Sequence, residues 1–148
     1  MILDAAAIRE RLPHAGAMSL LDEVVAHDAD RIHCRARSHR DPDNPLRSEP
    51  GLHALAALEY GAQAMAVHGS LGAPDSGGAP PRAGYLAAVR DLQIHARRLD
   101  TIETALDIHA ERVMADARSS IYDLAVEAAG EPLLAARATV ILEPGETP

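Results

Sequence analysis

Phenylalanine and tryptophan are absent from this 148-residue sequence, and Tyr60, Tyr85 and Tyr122 are its only aromatic residues. A core must therefore be built from Leu, Val, Ile, Ala and Met, which the 47% apolar composition supplies. Lysine is absent as well, and all 14 basic residues are Arg, a pattern that fits a coding bias better than a binding strategy. Cys34 is the single cysteine, which excludes an internal disulfide and points to a reducing compartment. No uncharged apolar run reaches membrane-spanning length, and the N-terminus has no basic segment leading into an apolar one. These features lead us to expect a cytoplasmic protein with no membrane partner. The net charge of -8 argues against nucleic acid, whose phosphates need a positive surface. A nucleophile elbow, a phosphate-cradling glycine loop, a dinucleotide fingerprint and metal-ligand spacing are all missing, so no metal is expected.

What is present is a helix. Residues 50–69 are rich in Ala, Leu and Met, open on Pro50-Gly51 and end at Gly69 before a Gly/Pro-rich stretch. The segment is apolar on nearly every side, so it should be surrounded by protein. Glu59 and Gln63 stand four residues apart on one face of it. A carboxylate there is costly unless it is paired, protonated or used, and desolvation would favour its protonated form. One reading is that Glu59 and Gln63 simply satisfy each other inside a closed core; the other makes Glu59 an acid for chemistry.

The remaining chain reads as a container for that helix. A short helix over residues 4–12 is capped by Asp4. Residues 18–27 and 31–37 form a hairpin turning at 28–30, with Ile32, Cys34 and Ala36 on its apolar face. Cys34 is there best explained as a small buried hydrophobe. A polar loop over 38–49 leads to the helix, and residues 70–82 form a flexible connection. Four strands follow over 84–95, 101–111, 118–129 and 132–142, the last two joined at Gly130-Glu131, and 143–148 is a tail. The chain is thus a single α+β domain over 1–148, with about six mostly antiparallel strands curled around one helix. The exposed edge of such a sheet is economically covered by a second copy.

Three stretches resemble the hot-dog-fold 3-hydroxyacyl-acyl-carrier-protein dehydratases. Residues 12–24, Leu-Pro-His-Ala-Gly-Ala-Met-Ser-Leu-Leu-Asp-Glu-Val, are similar to the family's Leu-Pro-His, apolar run, Asp-x-Val opening. Residues 58–64, Leu-Glu-Tyr-Gly-Ala-Gln-Ala, match its helix motif, and the run from Gly84 to Val89 fits its C-terminal half. A divergent subgroup associated with aryl-polyene-type lipid synthesis is the nearest in kind.

The resemblance implies dehydration of a 3-hydroxyacyl thioester to the 2-enoyl thioester in a tunnel at a dimer interface. The substrate rides on the phosphopantetheine arm of an acyl carrier protein, and no cofactor is implied. Glu59 takes the position of the family's acid. The family's loop histidine has no counterpart: residues 43–47 read Asp-Asn-Pro-Leu-Arg, with Asn44 or Pro45 in its place. His39, on the preceding loop, is a candidate for the missing base, with His53 and His68 as further imidazoles. Asn44, Gln63 and the free amides of Gly51 and Leu52 at the helix start are candidates for positioning the substrate. Arg47, Arg97 and Arg98 are candidates for docking the carrier. The implied partner is another hot-dog subunit, identical or related. A hot-dog thioesterase, or a non-catalytic subunit that binds acyl thioester or carrier, are the alternatives.

Overall fold

The computed structural model describes residues 2–12, 18–72 and 84–142. Its elements are β1 (Leu3–Asp4), α1 (Ala5–Arg11), β2 (Glu23–His27), β3 (Arg31–Ala36), α2 (Ala57–Gly72), β4 (Gly84–Ile94), β5 (Leu106–Ala115), β6 (Ser119–Ala128) and β7 (Glu131–Leu142). The strands form one seven-stranded sheet in the order β1-β2-β3-β5-β6-β7-β4, and every neighbouring pair is antiparallel. The α+β arrangement of a curled sheet around one long helix is therefore present. The strand beyond the expected six is β1, whose two residues pair with Val24 and Glu23 and are too few to leave a periodic signal. Asp4 caps α1 as expected, its Oδ1 accepting from the Ala7 amide at 2.9 Å.

Inward residues of the central strands follow the period-two pattern. Ile32, Cys34 and Ala36 of β3, Leu106, Ile108 and Ala110 of β5, and Tyr122, Leu124 and Val126 of β6 are all buried. Two strands begin later than their sequence pattern. Residues 18–22 are irregular and pinned by side chains, so only Glu23–His27 is strand. Residues 101–105 turn rather than extend, the Ile102 amide closing onto the Leu99 carbonyl at 3.0 Å. The β6–β7 turn is Ala129-Gly130, one residue earlier than expected, with φ +49° and +82°. Both central residues being left-handed, it is the turn whose twist matches a hairpin.

The helix departs from expectation at both ends and on one side. Residues 50–53 are not helical, Ala54–Ala56 form a single tight turn, and α2 runs from Ala57 past Gly69 to Gly72. The cause lies at the start: Gly51 has φ +127°, and the backbone of 52–54 bonds to residues 97–99 instead of closing helical turns. Tyr60, Ala64, Met65, Val67 and His68 are buried, whereas Leu55, Ala66 and Gly69 are exposed and Glu59 and Ala62 are half-buried. The helix is thus covered on the sheet side and open along a strip at three- and four-residue spacing. Its many Ala residues make it look apolar all round, although the sheet encloses only part of it.

Close approach is set by Gly61, where an added Cβ would lie 2.8 Å from Leu124 Cδ1 of β6. Toward β4 the cover runs out. Among the described residues this strand is the sheet's last and pairs only with β7, and Leu86 and Ile94 on it are 38% and 41% exposed. The outer face is polar and cross-linked: Arg35 bridges Glu23 and Asp107 at 3.3 and 3.2 Å, and His33 bonds Asp107 at 2.7 Å. His33 stacks on His109 with ring centres 4.2 Å apart, and Arg137 pairs with Asp123 at 2.8 Å. Among the described residues no helix is long and apolar enough to cross a membrane.

The Gly61 contact gives a direct test. Gly61→Leu should destabilise the protein by about 1–3 kcal/mol through overpacking, despite better helix propensity. Adding Leu124→Ala should restore part of that loss in urea unfolding; an uncompensated double variant would show that the two positions do not share space.

Candidate active site

Gln63 is more tightly held than its pairing with Glu59 alone would require. Its Oε1 accepts from the Leu20 amide at 2.8 Å, which fixes the orientation of the side-chain amide. The Nε2 then donates to the Met18 carbonyl at 2.6 Å and faces Glu59 Oε1 at 3.5 Å. Gln63 therefore clasps the segment before β2 to α2, and Glu59 lies beside the clasp in the helix's first turn. Glu59 is half-buried rather than sealed, so this chain alone does not supply the full burial expected of it. The first turn also places the carboxylate near the positive end of the helix dipole.

A second polar cluster supports the same end of α2. The Tyr60 hydroxyl sits 2.8 Å from Ser38 Oγ and accepts from Asn44 Nδ2 at 3.1 Å, while Ser38 Oγ donates to the Leu20 carbonyl at 2.7 Å. Asn44 also donates to the Ser38 carbonyl and accepts from the Leu46 amide. Burial pushes the Tyr60 hydroxyl pKa up, against the opposing effect of its Ser38 and Asn44 bonds. Asn44 thus stands behind Tyr60 with its amide committed to the fold, which accounts for the burial of this polar residue.

The helix-start amides are not open donors. The Gly51 amide bonds the Ser48 carbonyl at 2.9 Å, and the Leu52 amide bonds Asp100 Oδ1 at 2.9 Å. This corrects the expectation for Gly51 and Leu52, and the reason is that α2 begins only at Ala57. Asp100 further draws in Arg98 at 2.5 Å and Arg47 at 3.7 Å. The Arg98 guanidinium holds the Asp100 carboxyl well below the usual carboxylate range. Of the three arginines considered for carrier docking, Arg47 and Arg98 are compensated by Asp100, and Arg97 is exposed.

None of the candidate imidazoles in the described residues meets Glu59. His39 is fully buried with Nε2 donating to the Ile102 carbonyl at 3.0 Å, and its Nδ1 lacks a hydrogen-bond partner. His68 is buried, bonding the Asp28 carbonyl through Nε2 at 3.0 Å and the Tyr122 hydroxyl through Nδ1 at 2.7 Å. His53 precedes the helix in extended backbone, and its Nδ1 accepts from the Leu55 amide at 3.0 Å. His14 lies outside the described residues. Cys34 is buried with its thiol pushed up to about 12 by desolvation, which makes it inert. Among the described residues no group of His, Cys, Asp and Glu could hold a metal.

The sequence pattern of the ApeP-like family, described as ApeP dehydratase, matches residues 6–147. The chain belongs to this dehydratase family. In the ApeP-like chain, the match takes in the opening stretch, the Glu59–Gln63 turn and all of β4 to β7. Among functionally curated proteins none matches the sequence significantly. Of solved structures, a chain of the dehydratase heterocomplex ApeI:P from Xenorhabdus doucetiae superposes with TM-score 0.82 at 23% identity, covering 93% of this chain and 91% of that one. A variant of the thioesterase PA1618 from Pseudomonas aeruginosa gives TM-score 0.66 at 13% identity, covering 97% and 96%. The thioesterase HI1161 from Haemophilus influenzae also gives 0.66, at 9% identity, covering 97% and 92%. These structures establish the hot-dog fold.

Sequence reasoning missed Ser38, Tyr60 and Asp100, the three groups that fix the loops around Glu59. Tyr60 adjoins Glu59 in the motif and could have been found there; Asp100 gives no local signal, because its partner Leu52 is 48 residues away.

The two buried imidazoles predict a pH dependence. Burial lowers the pKa of both, opposed by the nearby backbone of Ile102 and Thr104 for His39 and of Asp28 for His68. Arg40 and Asp22 act on His39, and Arg112, His27 and Asp28 on His68. A folded value below the unfolded value of about 6.5 means that the unfolded chain takes up protons first. Stability should thus be full above about pH 6.5 and fall as pH drops, by up to about 1.4 kcal/mol per pH unit for each histidine. His68→Gln, which keeps a donor for the Asp28 carbonyl, should flatten the dependence of Tm on pH between 7.5 and 5; an unchanged slope would show that His68 does not contribute.

Proposed function

We propose that the protein acts in the dehydration of a 3-hydroxyacyl thioester carried on the phosphopantetheine arm of an acyl carrier protein, with Glu59 as the acid. The supporting observation is the position of Glu59: it is the family's acid by motif, and it lies on the strip of α2 that the sheet leaves open. A base removes the proton at C2, Glu59 protonates the departing C3 hydroxyl, and water and the 2-enoyl thioester result. Gln63 orients the carboxyl through Nε2. No cofactor is needed for this elimination, and the reading places the protein in the cytoplasm.

The base comes from a second hot-dog subunit, identical or related. Three observations support this: His39 and His68 are committed to the fold, the open strip carries Glu59, and β4 offers an unpaired edge with exposed Leu86 and Ile94. The ApeI:P heterocomplex is a hot-dog assembly of the related kind. Carrier docking falls to Arg97, with Arg47 and Arg98 beside it. The lack of an imidazole at Glu59 among the described residues also favours the second reading, a binding subunit without turnover.

Glu59→Gln should lower enoyl-thioester formation by about 10²–10⁴-fold, the usual contribution of a general acid, with Tm little changed. Full turnover by this variant would remove Glu59 from the mechanism, and tight carrier binding without turnover in the unaltered protein, alone and with a hot-dog partner, would favour the binding subunit. Separately, Leu86→Glu with Ile94→Glu should leave the protomer folded and shift it to a monomer in size-exclusion chromatography with light scattering. Retained assembly would place the interface elsewhere than β4.

A further inference from the structure

Asp100 is a nearly buried carboxylate outside the proposed site. Its side chain is only 4% exposed, although it lies in the connection between β4 and β5. Oδ1 accepts from the Leu52 amide at 2.9 Å and from Arg98 Nε at 3.1 Å, Oδ2 accepts from Arg98 Nη2, and the backbone carbonyl accepts from Arg40 at 3.1 Å. Around it the two chain segments run antiparallel: the Leu99 amide bonds the Leu52 carbonyl at 2.8 Å, and the Ala54 amide bonds the Arg97 carbonyl at 3.0 Å. An added Cβ on Gly51 would collide with Arg98 Nη2 and lie 2.6 Å from Asp100 Oδ2.

This clasp decides where the helix begins. Leu52 and His53 are held alongside the connection, so the chain enters a tight turn only at Ala54 and α2 only at Ala57. Glu59 is the third residue of that helix, and its direction follows from the residue at which helical winding starts: one residue earlier or later rotates it by about 100°. We infer that Asp100 is a positioning residue for Glu59, acting through the Leu52 amide, an inference that rests on Glu59 being the acid of the site.

Two substitutions separate reach from charge. Asp100→Asn keeps the length and an acceptor oxygen for Leu52 while losing the charge that gathers the arginines. Asp100→Glu keeps the charge and changes the reach. Positioning through Leu52 requires Asp100→Asn to retain kcat within a fewfold, and Asp100→Glu to lose about tenfold or more in kcat with KM little changed, since small misplacements of a reacting group are costly. Two readouts are independent of turnover. The Leu52 amide should exchange hydrogen about tenfold faster in Asp100→Glu than in the unaltered protein, and the side-chain carboxyl carbon of Glu59 should shift its NMR titration in Asp100→Glu and not in Asp100→Asn. The opposite order of the two variants, or a Glu59 titration and Leu52 exchange unmoved in both, would overturn the inference. If the unaltered protein proves inactive both alone and with a hot-dog partner, the dehydratase reading fails while the NMR comparison still decides the role of Asp100.

Discussion

The close contact of α2 with the concave face of the sheet is the constraint from which the rest follows. Gly61 lets the helix backbone come against Leu124, and with no Phe or Trp in the chain there is little bulk to hold the layers further apart. A core of Leu, Val, Ile and Ala packs to ordinary density only if helix and sheet approach closely. That closeness makes loose polar groups costly on the inner side, and those against the helix are bonded: Tyr60 to Ser38 and Asn44, Gln63 to Met18 and Leu20, His68 to Tyr122 and Asp28. Glu59 is the contrast. It stands at the margin of the contact, where the helix turns away from the sheet.

The polar groups at the start of the helix divide the labour in a way their residue types do not reveal. Gln63, Asn44 and the Gly51-Leu52 amides resemble binding groups in sequence, yet each spends its hydrogen bonds on holding a loop. What they hold is consistent: the segment before β2, the loop after β3 and the chain before α2 all converge around one turn of helix. On the proposed reading of Glu59, loops that are each fixed by a separate bond around the start of the helix would keep reorganisation small at the moment of reaction.

The fold was legible from sequence where periodicity carried it. The alternation of Ile32, Cys34 and Ala36, and of Tyr122, Leu124 and Val126, placed two central strands correctly, and the Asp4 cap and the Glu59–Gln63 spacing were equally local. Where the outcome depended on partners far along the chain, the reading failed. The helix start was drawn at Pro50-Gly51 because Ala and Leu favour helix, but the bonds to residues 97–100 override that preference. Nothing near His68 in sequence shows that Tyr122 and Asp28 receive it. Two-residue β1 was invisible because so short a segment contains no period, whereas residues 101–105 continue the alternation of β5 yet turn, the Ile102 amide closing onto the Leu99 carbonyl.

The outer face of the sheet carries a further consequence. Its charges are saturated sideways, Glu23 with Arg35, Arg35 and His33 with Asp107, Arg31 with Glu111, Asp123 with Arg137. A second sheet laid flat upon it would strip water from ions that already have their partners and would offer them nothing in return. Stacking is thereby disfavoured, while the β4 edge stays open to sideways growth. The charge network works as a traffic rule for assembly, closing the broad face and leaving growth to the sheet's edges.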